Sequence, residues 1–195
     1  MSEPEASAAG SGPRYLDLPL RTFLDLLADD QPAPAGGAAA ALGVALAASL
    51  CAMTARRSGR QLPEAAELAA KAERLADLVA PLAQADAEAY RAVIAARRRP
   101  PGEPGAALAV ALSDASDVPM RVAEIGAQIA ALATRLAAHG HPSLHGDAVA
   151  AALLADAGTR SACALVRINL SAAGSDERLA RVTHLLAALP PAPSG

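Results

Sequence analysis

The sequence has no tryptophan, one phenylalanine and two tyrosines. Aromatic and branched strand formers are therefore scarce, and no segment alternates apolar and polar residues as a half-buried strand would. Cysteine is almost absent too. Cys51 and Cys163 stand alone in apolar surroundings, with no CxxC spacing and no second pair, which excludes a disulfide framework and a zinc finger and leaves two buried free thiols as the expectation. Neither sign of charge is in large excess. The net charge of −3 supplies no field to gather nucleic acid or an anionic membrane, so both are set aside as partners. The N-terminal "MSEPEASAAGSGPR" carries acids and no apolar run, unlike a secretory signal. Residues 1–14 read as a disordered leader on a cytoplasmic protein, and residues 190–195 as a Pro-rich tail that cannot extend a helix.

What is present is alanine. Hydrophobic residues make up 53% of the 195 positions, and alanine supplies most of them, the residue with the highest helix propensity. One domain over residues 15–189 is the expectation for this length. Apolar spacing predicts an amphipathic helix from about Leu16 to Asp29, then a small-residue helix from Gly37 to Arg57 after the breaker "DDQPAPAGG". A third helix runs from Pro63 to Arg98 with a kink or break at Pro81, and a fourth from Ala106 to Ala138 with a kink at Pro119. A fifth covers Ser143 to Ala172, and a last one follows Ser175 as N-cap. The prediction is an all-α antiparallel bundle of about six helices, two of them kinked at proline. Small side chains let helix axes approach closely but contribute little buried area each, so a homodimer is expected to complete the burial.

The stretch "PAPAGGAAAALGVALAASLCAMTARR", residues 32–57, admits three readings. It is long enough to span a bilayer, but alanine and glycine dominate it and interfacial aromatics are missing, so a membrane anchor is disfavoured. A buried bundle helix fits its composition better. The third reading concerns its start, where Gly36 and Gly37 would leave helix N-terminal N–H groups open to an anionic or polar ligand. Elsewhere, Asp86 lies in an apolar stretch four residues before Tyr90, so the two share a helix face, although a solvated surface acid is the plainer reading. Asp147 opens an apolar run in the first turn of its helix, where a carboxylate is favourable in any case. Asn169 is an unexpected polar residue in "ACALVRINL", suited either to a ligand or to a helix end. Asp147 and Asn169 lie 22 residues apart, about 33 Å along a straight helix, so one chain cannot bring both to one small reacting centre. Either they serve different parts of a long groove, or one comes from a partner subunit. His141 and His145 flank the preceding turn. Their spacing does not suit a metal, and no metal is expected; His145 beside Asp147 fits a proton shuttle, and two exposed turn histidines fit equally.

Four segments in order, "FLDLLADDQPAPAGGAAAALGVALAASLCAMTARRS", "LVAPLAQADAEAYRAVIAA", "ASDVPMRVAE" and "HGHPSLHGDAVAAALLADAGTRSACALVRINL", resemble the formiminotetrahydrofolate cyclodeaminase and methenyltetrahydrofolate cyclohydrolase family over about residues 20–185. The resemblance implies an all-α, dimeric fold that binds folate. It implies either cyclodeamination of 5-formiminotetrahydrofolate to 5,10-methenyltetrahydrofolate with loss of ammonia, or cyclohydrolysis of the methenyl compound to 10-formyltetrahydrofolate. No cofactor beyond the tetrahydrofolate substrate is implied. Both reactions need a base for the attacking nitrogen or water and an acid for the leaving nitrogen. The residues carried over are Asp86, Asp147 and His145 for proton handling, and Pro34, Gly36, Gly37, Tyr90 and Asn169 for substrate. Arg56 and Arg57 would meet the carboxylates of the folate tail. The sequence departs from the family pattern at Ala35 and Ala38, where a glycine and a serine are usual, at His141 for asparagine, at Gly146 for serine, and at Leu165 for a polar residue. These losses leave open an alternative, a non-catalytic helical dimer of the same fold that binds a ligand or a protein partner.

Overall fold

In the computed structural model, residues 14–98, 104–171 and 174–191 are described. The expected leader over 1–13, the end of the tail over 192–195 and part of the "RPPGEPG" break lie outside them. Among the described residues the chain forms seven α-helices and no strand: α1 (Leu20–Ala28), α2 (Gly36–Arg56), α3 (Ala65–Val79), α4 (Leu82–Arg97), α5 (Pro104–His139), α6 (His145–Asn169) and α7 (Glu177–Ala188). Short 3-10 turns, Tyr15–Asp17 and Pro142–Leu144, precede α1 and α6.

Helix α2 sits at the centre, packed against α3, α4, α5 and α6. Its buried face is almost entirely Ala38, Ala40, Ala41, Val44, Ala47, Ala48, Cys51, Ala52 and Ala55. That composition explains its low amphipathic contrast and its membrane-like length: α2 and the segment containing α6 are both long and apolar enough to span a bilayer, and α2 spends that character on its neighbours. Close approach is set by glycine at one crossing, where a Cβ on Gly158 of α6 would press against the Ala40 carbonyl and the Val44 side chain of α2. Larger side chains fill the centre from α5, with Ile129 and Leu136 fully buried. Truncating either to alanine is worth about 2–5 kcal/mol, well above what any one of the many alanines contributes. Both cysteines are free and buried, and burial pushes the Cys51 thiol up to about 12.

The direction of the helices matters most for function. Gly158 lies against Ala40 and Val44, and Ser58 just beyond α2 bonds His141 just before α6, so α2 and α6 are antiparallel. Gly126 and Gly140 of α5 and its following turn neighbour Val44 and Ser58, so α5 runs parallel to α2. The bundle therefore has a glycine end, where α2 starts and α6 finishes, and an arginine end, where α2 finishes and α6 starts.

The break expected at Pro81 divides the third stretch into two helices: the chain closes α3 at Ala80 and restarts α4 at Leu82. α5 runs without interruption from Pro104 to His139 through Pro119. The N-cap of α7 is Asp176, one residue past Ser175, because its carboxylate accepts the Arg178 N–H. The first helix is also shorter than expected: Pro19 caps it, Leu20 and Leu24 face solvent, and Phe23 is its one buried residue. Phe23 meets Tyr15 edge-to-face at 5.6 Å, and Arg91 and Gln84 of α4 hold Tyr15 by its hydroxyl and its N–H.

Candidate active site at the glycine end

The turn before α2 reaches its first residue through a buried Pro34 in a cis Ala33–Pro34 bond and an extended Ala35. Ala35 has φ −141°, backbone any residue adopts, so the glycine usual in the family is not required by geometry here. Gly37 is different. A Cβ built on it would coincide with the Asp86 carboxylate, so Asp86 of α4 rests directly on the first turn of α2 and accepts the Ala38 N–H. Gly36 has open space around it and remains exposed, available to a ligand.

Burial is the larger influence on Asp86 and pushes its carboxyl above its ordinary value, while the Ala38 N–H pulls the other way. A half-buried carboxyl that holds a proton more readily than usual, seated on open helix N–H groups, suits transfer of a proton to or from a polar substrate atom. Tyr90 lies one turn along α4 and is 37% exposed, so its ring borders the same end. Ala38 is fully buried, which makes the position that usually carries serine a packing position in this chain.

Asn169 also lies at this end, and its partner gives it a structural role. Its Nδ2 donates to the Ala115 carbonyl at 3.3 Å. Ala115 is four residues before Pro119, so its carbonyl is the one whose helical N–H partner proline removes. The asparagine of "RINL" replaces the missing donor and ties the end of α6 to α5. Pro119 is itself fully buried.

The remaining expected residues gather at the arginine end. Arg56 pairs with Glu73 of α3. Arg57 and Arg60 line, with His141 and Ser143, a surface recess of about 460 Å³. The His141 ring nitrogen Nδ1 accepts the Ser143 N–H, so histidine performs the turn cap that an asparagine side chain would supply. The His145 Nδ1 lies 3.0 Å from the Ala137 carbonyl, which can only accept, so Nδ1 donates to it. Asp147 follows in the first turn of α6, half-buried. Gly146, where the family has serine, is exposed, and a Cβ added there would meet nothing within 4 Å. Among the described residues no group of three or more metal-ligating side chains converges.

One chain therefore brings Gly37, Asp86, Pro34 and Tyr90 to one end and Arg56, Arg57, His145 and Asp147 to the other. The length of α2 holds the two sets roughly 30 Å apart. The expected pairing of Asp86 with Asp147 does not occur within a protomer, and neither do Arg56 and Arg57 reach the Gly36–Gly37 turn. Two structural contributors were not visible in the sequence. Ser58, fully buried, accepts the His141 N–H and donates to the Thr54 carbonyl, fixing the turn before α6. Arg178 anchors α7 to α5 through Ser113 and Asp117 and to Asp176.

Against known proteins, the family model described as formiminotransferase-cyclodeaminase matches residues 19–186. The methenyltetrahydrofolate cyclohydrolase of Methylorubrum extorquens is 34% identical, with 86% of this chain and 88% of that protein covered. The crystal structure of formiminotetrahydrofolate cyclodeaminase from Thermotoga maritima superposes with a TM-score of 0.78 at 27% identity, covering 88% of each chain. The glycine turn, the carboxylate seated on it and the asparagine at the end of α6 thus stand within a match that spans nearly all the described residues, and the chain belongs to the formiminotransferase-cyclodeaminase family.

Proposed function

We propose that this protein is a folate one-carbon enzyme. It either closes 5-formiminotetrahydrofolate to 5,10-methenyltetrahydrofolate with release of ammonia, or hydrolyses the methenyl compound to 10-formyltetrahydrofolate. The two named relatives carry one of these activities each, and the family covers both. The observation that carries the reading to this chain is the Asp86 carboxyl, raised by burial and resting on Gly37 at the open N-terminus of α2.

In the deamination, N10 attacks the formimino carbon, a proton leaves N10, and the departing nitrogen must gain one to go as ammonia. In the hydrolysis, water attacks the methenyl carbon and loses a proton as the ring nitrogen takes one. A single carboxyl whose proton is held more tightly than usual can serve both halves in turn. Its negative form also stabilises the cationic amidinium carbon common to both reactions. Gly36 leaves backbone room for the pterin beside that carboxyl, and Tyr90 offers a ring at its edge.

The test is the absorbance of methenyltetrahydrofolate, followed as it forms from the formimino substrate and as it disappears by hydrolysis. One of the two changes is expected with purified protein, and Asp86→Asn should reduce it by about 10²–10⁴-fold at unchanged helicity. Absence of both changes at high enzyme concentration removes the enzymatic reading. It would favour the non-catalytic dimer.

A further inference from the structure

Past the start of α2 the chain builds a two-helix arm. Gly126 of α5 lies beside Val44 of α2 and the two helices are parallel, so α5 before about residue 118 extends beyond Gly36. α4 packs along α5 and is joined to it by the few residues between Arg97 and Pro104, so it runs antiparallel to both α5 and α2. Asp86 rests on the first turn of α2, and the rest of α4, from Ala87 to Arg97, therefore overhangs the glycine end. Gly36 is exposed at its base.

Helical geometry sorts the side chains of this overhang. Tyr90 stands about 40° and Arg97 about 20° from Asp86 around the α4 axis, so the three share one face. Arg91 and Arg98 stand about 140° and about 120° away from it. Arg91 is also committed to the Tyr15 hydroxyl. Arg97 is exposed in the last turn of α4 and has no ion-pair partner among the described residues. From the bundle outward, the face carries a half-buried carboxyl, a partly exposed aromatic ring and an unpaired guanidinium.

Folate has its groups in the same order: the reacting N5–N10 edge, then the aminobenzoyl ring, then a glutamate with its carboxylates. By ordinary bond lengths, about 10 Å separates N10 from the glutamate α-carboxylate in an extended tail. Arg97 lies about 16 Å along α4 from Asp86, and a long side chain on a helix leans toward the helix N-terminus, which carries its guanidinium back toward Tyr90. The two lengths then agree to within a few ångströms. We infer that the folate tail lies along this face of α4, its ring against Tyr90 and its glutamate carboxylate on Arg97, and that Arg97 sets the preference for a glutamylated substrate. The inference rests on the folate-enzyme reading.

Substrates with and without the glutamate test the contact. A guanidinium pairs a carboxylate through two parallel N–H donors, but at an exposed helix end the gain is modest and screened by salt. Wild type should therefore show a KM about 3–10-fold lower for the tetrahydrofolate form of its substrate than for the tetrahydropteroate form, at equal kcat. Concentrated salt should shrink that advantage. Arg97→Gln should abolish it, with the glutamate-free substrate and the thermal melt unchanged, and Arg97→Lys should keep part of it. Arg98→Gln, on another face, should keep all of it. An Arg97→Gln protein that retains the advantage, or that raises KM for both substrates alike, overturns the inference. So does loss of the advantage in Arg98→Gln or Arg57→Gln while Arg97→Gln keeps it.

Binding without turnover separates failure of the tail site from failure of the folate reading. Tetrahydrofolate and tetrahydropteroate carry no reacting carbon, and equilibrium dialysis should give the same Arg97-dependent ratio of Kd. Wild type that turns over with no preference for the glutamate removes the tail site alone. Wild type that binds tetrahydrofolate through Arg97 and turns nothing over keeps the tail site and removes the enzymatic reading. Wild type that neither turns over nor binds tetrahydrofolate removes both.

Discussion

Gly37→Ala isolates the role of the Asp86 seat, because the added methyl would occupy the space the carboxylate fills. α2 is held on several sides by α3, α4, α5 and α6, so the yielding element is the Asp86 side chain, which must rotate off the helix terminus. Two effects on stability then oppose each other. Alanine in place of glycine in a helix is worth about 0.5–1 kcal/mol in favour of folding. Losing a carboxylate from a helix N-terminus costs about 0.3–2 kcal/mol, reduced here because burial already disfavours its charged form. The sum is within about 1 kcal/mol of zero, so thermal unfolding should move by only a few degrees. Turnover should behave otherwise: displacing the proton-handling group from the turn is expected to lower kcat by about 10²–10⁴-fold. Gly36→Ala is the control, since an added Cβ there would meet nothing within 4 Å; it should keep its kcat, and a tight backbone contact with substrate would show as a raised KM alone. The assay is methenyltetrahydrofolate absorbance alongside a thermal melt. Wild-type turnover in Gly37→Ala, with a normal melt, would refute both the seat and the role given to Asp86.

Asn169→Leu should destabilise the protein by about 1–3 kcal/mol by leaving the Ala115 carbonyl unpaired, and Pro119→Ala, which restores the helical N–H, should remove most of that loss in a double-mutant cycle. A substrate ligand at this position would instead change KM and show no coupling to Pro119. The raised Asp86 carboxyl keeps its proton to higher pH in the native protein than in the unfolded chain, so stability falls as pH rises from its ordinary range through its raised value. Asp86→Asn should flatten that part of a stability-versus-pH curve measured by urea denaturation. Asp176 shows the opposite linkage: the Arg178 side chain and N–H hold its carboxyl down to about 2. Its contribution is present above the ordinary carboxylate value and is lost as pH falls toward about 2, so α7 should loosen in acid less steeply in Asp176→Asn. Thr54→Val should be neutral or stabilising by roughly 1 kcal/mol, because the Thr54 hydroxyl is fully buried and has no hydrogen-bond partner among the described residues. A loss above about 2 kcal/mol in chemical denaturation would mean that hydroxyl is satisfied in solution.

Much of the fold could be read locally. Alanine content, helical spacing and the position of Pro81 and Gly36–Gly37 are short-range properties, so the all-α class, the small-residue central helix and the break between α3 and α4 follow from the chain itself. Boundaries set by particular side-chain partners did not. Asp176 displaced Ser175 as a cap because its carboxylate is also held by Arg178, and α1 begins only at Leu20 after Pro19, with Leu20 and Leu24 exposed while Phe23 is buried and Leu27 packs against the core.

The candidate site shows the same division more sharply. Sequence alone identified the residue types suited to proton transfer, the turn that opens α2 and, through helix length, the separation of Asp147 from Asn169. It could not assign Asn169, because the carbonyl that needs its amide belongs to a residue 54 positions away. Nor could it show that Gly37 is glycine for the sake of Asp86, since that contact joins α2 to α4. Only the tertiary structure ordered the helices into a glycine end and an arginine end. Helix propensity and periodicity act over a few residues, whereas the direction in which helices pack is decided by contacts between segments distant in the chain.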